Sequence, residues 1–466
     1  MRATFHIKTL TLTITALSVA SMGHAAGLDR SGQEIKGFFN PGTYAEVDFA
    51  YIDTKVSAYD NAGAIRTSPT TEIRNGITST EAAYEKGVST GNATPDAYTF
   101  MRYGVKTDIN ENLSIGVFYD EPFGAEVEYS GDNTFVSKAG KSTIADSSTG
   151  ISVPNELINS SVLDPNYNKN TNVSVHTESW TGLLGYKSNG LQVYGGPVLQ
   201  KVKADVHLRG QAYGPLTGYD ANVNSDTDYG WIAGVAYSKP EIALNAALTY
   251  RSEIEHKASI AERVPLLGSP LRNIALGKLG IDPTSALGQS INEYATTEAT
   301  VTTPESINLN IQTGLSEKYQ LLGTLDVRWV PWSDFNIVPP FYNAYSKAAD
   351  PDGLPLLSYD KDQWKVDVGL AKRFNEKLAG SLVIGYDSGA GNPVSSLGTI
   401  EGYYSVGGGV KYNVTPEWAV SVGGKYLKFG DATGALPNGS IVSRAEDNDG
   451  YIAGVKLSYQ SQYSTR

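Results

Sequence analysis

Segments of about ten residues with alternating apolar and polar side chains run nearly end to end through this chain, and no linker marks a second domain. In SINLNIQTG, Ile307, Leu309 and Ile311 point one way and Asn308, Asn310 and Gln312 the other. Val47, Phe49 and Tyr51 oppose Glu46 and Asp48, and Trp364, Val366 and Val368 oppose Lys365 and Asp367. Side chains alternate with period two along a strand, so each segment is a strand with one apolar and one polar face. A soluble β-sandwich and a membrane barrel both produce that pattern, and the connections separate them. Residues 108–112, 187–190, 238–241, 316–319, 374–377 and 413–417 are tight polar turns. Between them lie long connections near 53–96, 125–172, 255–302, 334–361 and 430–449. Short turns at one rim and long loops at the other are the mark of a transmembrane antiparallel β-barrel.

Composition agrees. The 29 tyrosines outnumber the 12 phenylalanines, glycine reaches 49, and charged residues make up 18%. Tyrosine has an apolar body and a polar tip suited to a membrane interface. Residues 1–25 carry Arg2 and Lys8, an apolar run from Leu10 to Ala20, and the small-residue junction Gly23, His24, Ala25, so they are expected to be a secretory signal cut before Ala26. That run is too short to span a bilayer, and no other window approaches the length of a membrane helix. There is no cysteine, which excludes a disulfide scaffold and thiolate chemistry. Losing the signal would take the net charge from -12 to -14, which argues against nucleic acid as a partner.

One long connection is greasy. Residues 263–295 contain Leu266, Leu267, Leu271, Ile274, Leu276, Leu279, Ile281 and Leu287, partly at helical spacing. Either the loop packs its own small core over the barrel, or it offers an extracellular landing site for a hydrophobic molecule. Both readings stand at this point.

The chain resembles the FadL-like family of outer-membrane transporters for long-chain fatty acids and other hydrophobic molecules. The resemblance covers nearly all of the mature chain: AGLDRSGQ at its start, FAYIDTKVS, SIGVFYDEPFGA, LTYRSEIEHK, TTPESINLN, RWVPWSDF and GYDSGAGNPV. It implies a fourteen-stranded barrel (residues 43–466) with an N-terminal lumenal hatch, a landing groove in the extracellular loops and a deeper apolar pocket. It also implies a kinked third strand that opens the wall sideways. Members with a full hatch carry a longer segment and an Asn-Pro-Ala motif. Here only residues 26–42 are available, with Phe38, Phe39, Asn40 and Pro41 as the hatch residues, followed by Gly42. Tyr459 fits the terminal aromatic of such barrels and leaves seven further residues.

If Leu248, Tyr250 and Ile254 face lipid, Thr249, Arg251 and Glu253 face the lumen. Arg251 is then either one end of an ion pair with Glu253 or a neighbouring acid, or a fork for a substrate carboxylate, with Arg209 and Arg328 as weaker candidates. In YDEPFGAEVEY, Pro122 cannot donate to a ladder and Gly124 adds freedom, so Pro122, Phe123 and Gly124 mark either a lateral opening or an ordinary strand end.

No catalytic site is expected: His176, His207 and His256 lack metal spacing, and no nucleophile elbow or P-loop is present. DPDG at 350–353 and DNDG at 447–450 read as plain turns. The expected function is outer-membrane uptake of hydrophobic molecules, long-chain fatty acids foremost, without metal or other cofactor. Its partners would be a fatty acid or hydrocarbon, outer-membrane lipid and lipopolysaccharide, and the barrel-assembly machinery. A general diffusion porin and an aromatic or alkane hydrocarbon channel are the rivals.

Overall fold

The computed structural model describes residues 28–60, 89–92, 98–130, 169–210, 213, 216–278, 280–347, 350–398 and 400–461. The signal at 1–25, Leu279 and the last five residues lie outside them. Seventeen hydrogen-bonded segments form one antiparallel sheet, and three strands are each split in two, which makes fourteen strands. They are β1 (Tyr44–Lys55), β2 (Tyr98–Asp108), β3 (Leu113–Asp120 and Gly124–Glu128), β4 (Asn172–Ser188), β5 (Leu191–His207), β6 (Asp220–Lys239) and β7 (Leu244–Arg251 and Ile254–Arg263). There follow β8 (Tyr294–Thr303 and Ser306–Ser316), β9 (Leu321–Val330), β10 (Gln363–Arg373), β11 (Leu378–Asp387), β12 (Tyr403–Asn413), β13 (Trp418–Phe429) and β14 (Asp449–Gln460). β14 pairs with β1 from Tyr44↔Gln460 to Lys55↔Asp449 and closes the barrel. Closure leaves no edge whose peptide groups would face lipid unpaired.

The alternation resolves as expected over most of the wall. Val47, Phe49 and Tyr51 are exposed on the outside while Asp48, Ala50 and Ile52 are buried inside. Aromatic pairs mark the outer belt, with Trp329–Trp364 at 6.4 Å and Tyr386–Tyr404 at 5.2 Å between ring centres. At the periplasmic rim Tyr459 packs on Trp418 at 5.1 Å. Two of the residues beyond Tyr459 are used: Gln460 Nε2 donates to Pro41 O at 3.1 Å, and Ser461 N donates to Thr43 O at 2.8 Å.

In three adjacent strands the alternation changes phase, and one expectation fails there. Thr249 and Arg251 are buried inside, but above the interruption at Ser252–Glu253 the buried residues are Ile254, His256, Ala258 and Ile260. Ile254 therefore faces inward and Glu253 outward, the reverse of the sequence expectation. β8 breaks at Pro304–Glu305, and the β5–β6 register shifts between Val202 and Ala204. A bulge shifts the side-chain phase by one, and a strict period-two reading carries straight across it.

Where they are described, the long connections carry secondary structure of their own, although most of the expected connections 53–96 and 125–172 lies outside the described residues. β7 and β8 run on as Ile254–Arg263 paired with Tyr294–Thr303, so the true connection is 264–293. It holds α1 (Arg272–Lys278) and α2 (Ala286–Ser290), and α3 (Pro340–Ser346) lies between β9 and β10. A five-stranded sheet of short segments, including Ser57–Asp60, Ala432–Ala435 and Ile441–Ala445, is built from the connections β1–β2, β11–β12 and β13–β14. The outward face of the β7–β8 extension carries Glu255, Lys257 and Glu298, so it lacks the apolar outer face that reveals a wall strand in the sequence.

Candidate functional site: an apolar column and a break in the wall

The connection 264–293 packs inward. Leu266, Leu267, Leu276 and Ile281 are buried and belong to one apolar cluster with Tyr342, Tyr345, Trp332, Phe335, Phe123 and Leu28. Leu271 packs against that cluster, whereas Ile274 and Leu287 stay 46% and 54% exposed. Self-packing therefore accounts for most of the leucines, and Ile274 and Leu287 are the apolar groups left facing outward. One buried carboxylate holds the cover in place: Glu262 accepts from Tyr219 Oη (2.8 Å) and from the N–H groups of Phe341 (2.9 Å) and Tyr342 (2.8 Å) at the start of α3. These bonds offset the cost of burying its charge.

Below this cover the column reaches a cavity of about 20 Å³, lined by apolar atoms of Leu28, Phe123, Val175, Val301, Trp332 and their neighbours. Trp332 stands edge-on to Phe123 at 5.6 Å and donates its indole N–H to Gln363 at 2.7 Å.

The floor is polar and is built around residues 28–42. Arg328 grips Asp29 with Nε and Nη2, each at 2.8 Å, and Lys36 pairs with Asp326 at 2.9 Å. Ser306 donates to Gln33 at 2.6 Å, and Lys106 donates to the carbonyls of Asn40 and Gly42. Phe38 is fully buried against Phe118, Tyr194 and Phe39, and Pro41 is tied to Gln460. The segment is short, yet it bonds to strands around much of the lumen.

The candidate arginines separate. Arg328 is occupied by Asp29. Arg209 is buried in the β5–β6 connection, with backbone bonds to Thr171, and is not in the lumenal floor. Arg251 is 3% exposed in the lumen and donates to Thr181 Oγ1 at 2.9 Å. The expected pair with Glu253 does not form, because the phase change puts Glu253 on the other face. Among the described residues Arg251 forms no close ion pair and its Nε has no partner, and Asp120 of β3 is the acid whose charge acts on it across a gap. The three histidines are dispersed, bonded to Ser174, Asp220, and Asp226 with Gln200. DPDG closes a turn with Gly353 N donating to Asp350 O at 2.8 Å.

At Glu121–Phe123 the third strand leaves the wall. β2 pairs with β3 only from Asp108↔Ser114 to Tyr103↔Tyr119, and β3 then resumes at Gly124–Glu128 on β4 alone. Pro122 therefore does not end the strand. Its carbonyl accepts from Arg30 N at 2.8 Å, and Gly124 N donates to Leu28 O at 2.8 Å. The N-terminal segment thus takes the place of a neighbouring strand at the break. Sequence reasoning located the break but missed Asp29, Arg30, Glu121 and Glu262. The proline and glycine signal the break, whereas no local pattern ties Asp29 to Arg328.

The family model described as "Outer membrane protein transport protein (OMPP1/FadL/TodX)" matches residues 214–464. Among solved structures, a Pseudomonas aeruginosa FadL homologue superposes with TM-score 0.64 at 15% identity, over 96% of this chain and 97% of that one. The Pseudomonas putida toluene transporter TodX gives TM-score 0.52 at 9% identity, over 97% of both chains. The Ralstonia pickettii toluene transporter TbuX gives 0.52 at 12%, over 98% of this chain and all of the other (100%). No curated protein matches the sequence. With its profile met over more than half its length and a closed barrel of the same fold, the chain belongs to the OMPP1/FadL/TodX family of outer-membrane transport proteins for hydrophobic compounds, and it resides in the Gram-negative outer membrane.

Proposed function

We propose that the protein takes up hydrophobic molecules, long-chain fatty acids foremost, by capture at the outer loops, passage down the apolar column and lateral exit through the break at Pro122, Phe123 and Gly124. The observation that carries this reading is the continuity of the apolar cluster from Leu266 and Leu267 through Trp332 to Phe123, which is itself part of the broken strand. A sideways exit is also favoured energetically. Each methylene released into water costs about 0.8 kcal/mol, so a sixteen-carbon chain faces on the order of 10 kcal/mol in the periplasm and nothing comparable in the bilayer. Ile274 and Leu287 are proposed for the landing region, with Leu266, Leu267 and Leu271 as the top of the column beneath it, Leu279 lying outside the described residues, and Arg251 as a head-group ligand in the floor. Residues 26–42, with Phe38, Phe39, Asn40 and Pro41, are proposed as the plug. Outer-membrane lipid would receive the substrate, lipopolysaccharide would surround the barrel, and the barrel-assembly machinery would insert it.

A second reading, uptake of a small aromatic or alkane hydrocarbon, is supported by the likeness to TodX and TbuX, which are toluene transporters; the cavity of about 20 Å³ has room for little more than a water and would have to widen for either substrate. Uptake of radiolabelled palmitate and of toluene in a deletion strain carrying this protein separates the two. Steady open-channel currents in planar bilayers would instead point to a diffusion porin and overturn both.

A further inference from the structure

We infer that Arg30 forms a carboxylate site inside the wall break, held in check by Glu121, so that the opening selects for substrates with an anionic head. The inference rests on the lateral-exit reading above. Along Tyr98–Arg102, β2 bonds to β1 and, among the described residues, has no ladder partner on its other side, where the upper part of β3 would stand. The Arg30 side chain enters that space. Its guanidinium carbon lies 4.3 Å above the centre of the Tyr98 ring and 5.9 Å from that of Phe100. Nη1 is 3.5 Å from Glu121 Oε2. Glycine at 124 makes the room: a Cβ there would come within 2.9 Å of Arg30 Nη1.

Arg30 is only 5% exposed, and among the described residues its Nε has no hydrogen-bond partner. A buried guanidinium normally satisfies its donors on a carboxylate fork at shorter range. Here the ion pair is long and one donor is spare, so the group can take a second carboxylate or trade Glu121 for one. Trading one carboxylate for another leaves the buried charge unchanged, whereas a neutral hydrocarbon gains nothing from the guanidinium. Tyr98 and His176 are the other titratable groups it acts on, and Glu126 lies beside both of them.

The test compares palmitate with hexadecane, which match in chain length and differ in the carboxylate, in cells with equal surface abundance of each variant. Arg30→Gln raises the KM for palmitate uptake about tenfold or more and leaves hexadecane unchanged. Arg30→Lys recovers part of the loss. Glu121→Gln keeps an oxygen for the Met101 N–H and removes the competing charge, so it lowers the palmitate KM. Opposite signs for Arg30→Gln and Glu121→Gln are what a merely structural pair cannot produce. Equal loss of both substrates in Arg30→Gln, or the same sign in both variants, overturns the inference. Gly124→Leu fills the break and stops both substrates. If it leaves both unchanged, the lateral route itself fails, which is distinct from a failure at Arg30.

Discussion

Replacing Arg328 by leucine removes the fork that holds Asp29, whose carboxylate is 2% exposed, and leaves that charge buried and unpaired. Breaking a buried pair from one side costs about 3–5 kcal/mol. The barrel ladder is independent of this contact, so the loss falls on the N-terminal segment and not on the wall. Gln33–Ser306 and Lys36–Asp326 lie farther along and still anchor the rest. Local opening of residues 28–32 should rise by roughly two to nearly four orders of magnitude, at 1.4 kcal/mol per tenfold. Three amides report it directly: Arg30 and Ser31, which donate to Pro122 O, and Gly124, which donates to Leu28 O. Hydrogen exchange on the purified protein in detergent should show their protection falling by that factor while amides in β13 and β14 are unchanged. Asp29→Leu combined with Arg328→Leu removes the stranded charge and should restore most of the protection. Wild-type exchange in Arg328→Leu would refute the reasoning, as would a double variant that opens as far as the two single variants combined.

The barrel should fractionate with outer membranes and migrate faster on gels unheated than boiled, since its closed ladder survives cold detergent; recovery from the soluble periplasm would contradict the fold. Ile274→Asp and Leu287→Asp should leave assembly intact and weaken uptake at low substrate concentration, whereas Leu267→Asp, placing a charge at a 3% exposed position, should lower the yield of folded protein. Unchanged uptake at every concentration would remove Ile274 and Leu287 from the landing region. Trp332→Ala removes the side chain over the cavity at a local cost of about 3–5 kcal/mol, and should raise affinity for bulkier hydrocarbons as the cavity grows. Titration with a fused-ring hydrocarbon checks it, and unchanged affinity would mean that the cavity collapses around the gap.

How far the site was legible varies with the range of the interactions. Pro122 and Gly124 announce the broken strand, because a missing donor and a missing Cβ act on the backbone where they stand. That the break is bridged by Leu28, Asp29 and Arg30 is not written near it, since the partners are some ninety residues away in the chain. Arg251 illustrates the same limit. Its inward face was readable from Thr249 and Leu248, but its partner was not, because a bulge between Arg251 and Ile254 reverses the phase.

By itself the sequence determined the barrel, the rim that carries the short turns, and the lipid-facing half of most strands. Each follows from period-two alternation and turn chemistry, which act over a few residues. The tertiary structure alone decided which loop leucines are buried and that Arg328 belongs to Asp29. It also decided that Arg30, and not a neighbouring strand, stands in the open part of the wall. Those choices depend on strand register, strand breaks and the path of the N-terminal segment through the lumen. They are settled by which distant groups can meet their hydrogen-bond and charge requirements together once the barrel has closed.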